Sequence, residues 1–231
     1  MIEILQNLNF TPFLLSFKLA GLTTLILFVL CLPLAWYLSQ TRSKAKPFLE
    51  AITALPIVLP PSVLGFYILY ALSYNSPIGA FFKESLGVDL VFNFSGLIIA
   101  SCFYSLPFMV QPLQSGFESL NKNMLEASYI SGKGKLTTII RVALPNIKPA
   151  LITAIIITFA HTVGEFGVVL MVGGSIPGET KVASVAIYEM VEIMDYSSAH
   201  IYSAIMIIMS FLVLLGVYTF NHKQKFSGFI K

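Results

Sequence analysis

His161 and Glu165 stand four residues apart in an otherwise apolar stretch, "ITAIIITFAHTVGEFGVVLM" (152–171). An imidazole and a carboxyl at that spacing share one face of a helix, where they could exchange a proton or share a hydrogen bond. Hydroxyls are available nearby in the chain at Thr158 and Thr162, and further off at Ser62 and Ser105. Hydrolytic chemistry would need more than this. The sequence has no HExxH spacing, no metal-ligand cluster and no nucleophile–base pair at useful spacing. "SGKGKLTT" (131–138) superficially suggests a phosphate-binding loop, but neither Gly-Lys pair is followed directly by Ser or Thr, and no strand precedes it. An ionisable residue inside an apolar segment is costly and is generally functional or paired. Glu165 is therefore read as a structural or gating group, bonded to His161 or across a dimer.

The elements that position these residues are membrane spans. The 231-residue chain is 56% hydrophobic and 11% charged, against about 25% charged in a typical soluble domain. Crossing the hydrocarbon core takes about 20 apolar residues, and five stretches qualify: 12–39, 48–73, 94–117, 147–172 and 197–220. The first is too long for the apolar part of a secretion signal and has a basic flank, so it stays as a span. Cys31 and Cys102 lie inside apolar runs, which argues against a disulfide framework. Segments 40–47, 118–148 and 221–231 hold eleven of the fourteen Lys and Arg residues. The N-terminus and segments 74–93 and 173–196 collect Glu3, Glu84, Asp89, Glu179, Glu189, Glu192 and Asp195. By the positive-inside rule the N-terminus is outside and the C-terminus cytoplasmic.

The cytoplasmic connection 118–148 is longer than most helix–helix loops. Met124, Leu125, Tyr129, Ile130, Ile139, Ile140, Val142 and Leu144 give it apolar surface that argues against disorder. Met124, Ala127, Ser128 and Ser131 recur at i, i+3, i+4 and i+7, one face of a short helix that Gly132 and Gly134 would end. Such a helix suits a groove on another protein.

Glu126-Ala127-Ser128, Gly132 six residues after the glutamate, and Val142-x-Leu144-Pro145 resemble the EAA loop of ABC-importer permeases, with Ser for the second Ala and Val for Ile. The resemblance implies that Glu126, Ala127, Ser128, Gly132, Leu144 and Pro145 couple the chain to a cytoplasmic ATPase subunit. "LPIVLPPSVLGFYIL" (55–69) and "GEFGVVLMVGGSIPGETKVASVAIYEMVE" (164–192) are similar to the molybdate-transporting branch of that family, and the similarity runs over essentially the whole chain. What this implies is an all-α membrane protein with five transmembrane helices in the type I ABC importer permease fold, in the inner membrane of a bacterium. It also implies a homodimer with two ATP-binding subunits, an extracytoplasmic molybdate-binding protein, no ATPase site in this chain, no cofactor or metal, and no nucleic-acid partner. Residues 1–231 are expected to form one permease domain. Neither a C-terminal regulatory domain nor the extra N-terminal span of some relatives is expected.

Molybdate is a tetrahedral dianion, and a conducting site must dehydrate it without trapping it. Helix-start N–H groups and hydroxyls do this more gently than a ring of arginines, and the spans hold no Arg. Pro56, Pro60, Pro61, Ser62, Thr162, Gly164, Glu165, Phe166 and Gly167 are expected on the path or its gate. The plainer alternative is that the prolines only kink a helix and the hydroxyls return to their own carbonyls. On the outer side residues 180–195 are read as a short helix. Pro177, Gly178, Glu179 and Thr180 are read as the landing site of the binding protein, or else as a lid. Tungstate, sulfate or another oxyanion would use the same fold. The competing classes are a membrane enzyme built on His161 and Glu165, and a secondary transporter, against which the lack of a visible repeat counts.

Overall fold

The computed structural model describes the backbone of residues 9–227 and their side chains, except those of Val217 and 220–227. Glu3, Lys223, Lys225 and Lys231, which entered the charge alternation above, lie outside those described side chains. The described residues form α1 (Thr11–Gln40), α2 (Lys46–Val58), α3 (Pro61–Leu72), α4 (Pro77–Leu86), α5 (Phe94–Glu118) and α6 (Lys122–Ile130). After these come α7 (Lys135–Asn146), α8 (Lys148–Val163), α9 (Gly167–Gly173), α10 (Ala183–Glu192) and α11 (Tyr196–Ser227). One π-helical turn, Ile139–Ala143, interrupts α7.

Helices α1, α5 and α11 are long and apolar enough to cross a membrane unbroken. The 30 residues of α1 extend about 45 Å at 1.5 Å per residue. The second expected span, 48–73, is not a single helix. Pro60 and Pro61 carry no N–H, and a residue before proline is pushed out of the helical region. Helix α2 accordingly stops at Val58, α3 restarts at Pro61, and the two axes diverge by 111°. The fourth expected span, 147–172, is also divided. Its helix α8 meets α7 at 78°, then ends at Val163 with Gly164 as its cap, leaving Glu165 and Phe166 between it and α9.

Helix α1 packs along α5, and α8 packs against both. At one end of α1, Ala35 and Leu38 share a buried cluster with Phe117 of α5 and with Leu125, Ala143 and Ile147 of the 118–148 connection. Burying a side chain of this size contributes about 1.5–3 kcal/mol, so that connection is bound to the bundle as one body. At the other end, Leu15 and Leu19 pack with Leu97, Val169, Val182 and Val185, and Phe13 with Ala183, Ala186 and Tyr202. The segments 118–148 and 173–196 therefore sit at opposite ends of α1. The helix expected within 180–195 is α10. Helix α4 was not anticipated, although its signals are local. Ser76 accepts a hydrogen bond from Gly79 N at 2.9 Å, Pro77 opens the helix, and Gly87 closes it at φ 66°.

Candidate functional site

The two interruptions meet. A Cβ on Gly167 would lie 2.8 Å from Cβ of Pro61, so only glycine lets the start of α9 come this close to the start of α3. Further along, Gly65 lies against Val168 and Met171, and the two half-helices run side by side in the same direction. The contact thus joins Pro61 to Gly167; Pro60, Pro61 and Ser62 are all exposed, and Gly164, Glu165 and Phe166 directly precede Gly167. Pro56 lies buried one turn before the first break. Val63 and Leu64 return their N–H groups to Pro60 O at 3.0 and 3.1 Å.

Not every residue expected here faces the meeting point. Thr162 is buried, and its hydroxyl donates to Thr158 O at 2.9 Å while pairing with Ser105 Oγ at 2.9 Å. The plainer alternative, back-bonding to the preceding turn, is the one realised for Thr162. His161 does not pair with Glu165. Its Nδ1 is 3.1 Å from Ser105 Oγ, and its ring stacks on Phe108 with centroids 3.8 Å apart. The i,i+4 relation fails because α8 ends at Val163, so Glu165 has already left the helix. Glu165 is 4% exposed, and neither carboxyl oxygen finds a partner among the described residues. The buried hydroxyls of Ser101 and Thr158 are likewise unpartnered there.

In the 118–148 connection, α6 ends in a paired glycine cap. Gly132 has φ +76°, its N–H bonds Tyr129 O at 2.9 Å, and Lys133 N bonds Ser128 O at 3.2 Å. The anticipated small-residue face is not one exposed strip. Ser128 turns inward and pairs with Thr138 Oγ1 at 2.9 Å, because Leu125, beside it on the helix, is drawn into the core. Glu126, Ala127, Ser131 and Pro145 are exposed, and Leu144 is half-buried. Around them lie Ile130 (87% exposed), Leu136 (75%) and Ile140 (61%), an apolar surface with nothing over it among the described residues. Glu126 also lines a cavity of about 430 Å³ with Arg42, Lys46, Lys122 and Tyr129.

On the opposite side Pro177, Gly178 and Glu179 are exposed, but Thr180 is fully buried. Its hydroxyl donates to Gly173 O at 2.7 Å and accepts from Ile176 N at 3.0 Å, so it pins the turn and is shielded from any outside partner. Lys181 Nζ meets Glu189 Oε2 at 2.6 Å. Burial works against the Glu189 charge, but hydrogen bonding, chiefly from Lys181, outweighs it and holds the carboxyl below its ordinary range. The pair is thus intact above that range and is lost only as the pH falls below it. Ser16, Ser101 and Ser184 escaped the sequence reading, since isolated serines in apolar segments give no pattern.

A helical membrane protein with broken spans meeting at a glycine–proline contact, and an apolar loop exposed at one end, has the architecture of a transporter's membrane subunit. The family model described as binding-protein-dependent transport system inner membrane component matches residues 31–224, and the chain belongs to that family. It is 48% identical over 206 residues to the molybdenum transport system permease protein ModB of Azotobacter vinelandii, covering 89% of this chain and 91% of that one. It is 30% identical over 190 residues to the sulfate transport system permease protein CysT of Salmonella typhimurium, covering 82% and 68%. A chain of a bacterial ABC transporter involved in import of the polysaccharide alginate shares the fold at TM-score 0.73 and 19% identity, over 93% of this chain and 78% of that one. A chain of the MetNI methionine ABC transporter matches at TM-score 0.72 and 17% identity, over 90% and 92%. The protein is a multi-pass permease subunit of an ABC transporter, with the type I importer fold.

Proposed function

We propose that this permease passes molybdate across the inner membrane of a bacterium, driven by ATP hydrolysis in a partner subunit. The observation that carries the reading is the 48% identity to ModB over nine-tenths of both chains. Each bent pair counts as one crossing, giving five, with the N-terminus outside and the C-terminus cytoplasmic as the Lys and Arg distribution favours. The 118–148 connection then faces the cytoplasm and presents Glu126, Ala127, Gly132, Leu144 and Pro145, with the apolar surface around them, to the ATPase. Ser128 acts from within, holding the connection's two halves together. Pro177, Gly178 and Glu179 receive an extracytoplasmic molybdate-binding protein, with Thr180 fixing their turn.

Two copies of the chain, with two ATPase subunits, enclose the path. Phe66, Tyr67 and Tyr70 of α3 are each more than half exposed beside the exposed Ser62, a surface that a second copy would cover. Single cysteines at Tyr67 or Tyr70, in a background with Cys31 and Cys102 replaced by alanine, are expected to form disulfide-linked homodimers in native membranes. Efficient formation of monomers alone would contradict that arrangement. Pro60, Pro61 and Ser62 line the path, and Gly164, Glu165, Phe166 and Gly167 form its gate. Pro56 and Thr162 shape the gate from behind.

The second reading is sulfate as cargo, favoured by the 30% identity to CysT. Tungstate, nearly isosteric with molybdate, shares the first reading. Measured anion preference of the cognate binding protein separates them. Molybdate and tungstate binding in preference to sulfate fits the proposal, and preference for sulfate overturns it.

A further inference from the structure

We propose that Ser184 is a positioning residue that transmits binding-protein docking to the gate, through a grip on the backbone of the interruption between α8 and α9. The proposal rests on the reading of the chain as a binding-protein-dependent importer subunit. Ser184 Oγ donates to the carbonyl oxygen of Glu165 at 2.6 Å, bridging 19 positions of sequence. One turn later on α10, the Tyr188 ring lies 4.9 Å from the ring of Phe166. Residues i and i+4 of one short helix therefore hold the two residues at which the fourth span is interrupted.

The rest of α10 is packed rigidly against its neighbours. Ala183 N donates to Ser16 Oγ at 2.9 Å, and Ser16 Oγ donates to Pro12 O at 3.0 Å. The start of α10 is thereby fastened to the outer end of α1. Ala183, Val185 and Ala186 are at most 4% exposed, so a push on the helix has no slack side chains to absorb it. Thr180 fastens the exposed turn at Pro177–Glu179 to the end of α9. A force on that turn reaches α10 and α9 together. The Ser184 hydroxyl is the polar link from α10 to Glu165, whose carbonyl lies outside any regular helix.

The test uses the assembled complex of permease, ATPase and molybdate-loaded binding protein in lipid nanodiscs. Ser184→Ala is expected to reduce the stimulation of ATP hydrolysis by the loaded binding protein about two- to tenfold, the scale of one net hydrogen bond. Basal hydrolysis and binding-protein affinity should stay close to wild type, and Ser184→Thr, which keeps the hydroxyl, should restore most of the stimulation. Unchanged stimulation in Ser184→Ala overturns the proposal. So does a parallel fall of basal and stimulated rates with loss of assembly, or a threonine variant no better than alanine. A wild-type complex that the binding protein fails to stimulate would instead count against the functional reading itself.

Discussion

A Gly132→Leu permease is expected to insert into the membrane, lose its ATPase subunit during purification and show no ATP-driven uptake. The cause is backbone geometry and not crowding. A Cβ at Gly132 would meet nothing within 4 Å, but the residue sits at φ +76°, where a side-chain-bearing residue costs roughly 1–2 kcal/mol. Both closing hydrogen bonds of α6 run through this turn. Relieving the strain unwinds the end of the helix and displaces Ala127, Ile130 and Ser131, which lie exposed on it. Gly132→Asn is the control, because asparagine tolerates the left-handed region and should retain most activity. Normal co-purification and uptake in Gly132→Leu would mean that the cap does not shape the ATPase contact.

Glu165 gives the second large effect. Glu165→Gln is expected to assemble and retain substantial uptake, whereas Glu165→Ala should impair assembly or gating. A carboxylate facing a dianion at about 4 Å would repel it by roughly 8 kcal/mol even at an effective dielectric near 20, counting two charges against one. The structure turns the side chain inside the protomer, 4% exposed, while Ser184 engages the residue's backbone carbonyl. An unpaired charge buried there would cost several kcal/mol, so the expected role is to fill space at the interruption, which glutamine keeps. Alanine leaves a cavity at the interruption, and large-to-small changes of this kind cost about 2–5 kcal/mol. Loss of uptake in a fully assembled Glu165→Gln complex would show that the negative charge itself is needed.

The parts of the fold that were legible in the sequence are those set by uninterrupted local patterns. Helices α1, α5 and α11 follow from long apolar runs, and the end of α6 follows from Gly132. The Pro60-Pro61 break was visible as a chemical tendency, though not as a change of direction of 111°. The meeting of the two interruptions was not legible, because Pro61 and Gly167 are joined by tertiary packing across more than a hundred residues. Of the two partners offered for Glu165, His161 fails for a definite reason: i,i+4 spacing joins side chains only where the helix continues, and α8 stops between them. Periodicity gave the face containing Ser128 but not the direction it points, which is set by the burial of Leu125 beside it and met by Thr138 ten residues on. The Ser184 link depends on a backbone carbonyl, which no side-chain pattern reports.

This chain is proposed to be the membrane path of an ATP-driven molybdate importer. Proteoliposomes carrying the permease with its ATPase, given the binding protein outside and ATP inside, test it through accumulation of radiolabelled molybdate. The expected result is uptake that needs both ATP and the binding protein, that excess tungstate competes away and that excess sulfate leaves largely intact. Uptake that proceeds without ATP, or that sulfate suppresses as well as tungstate does, would contradict it.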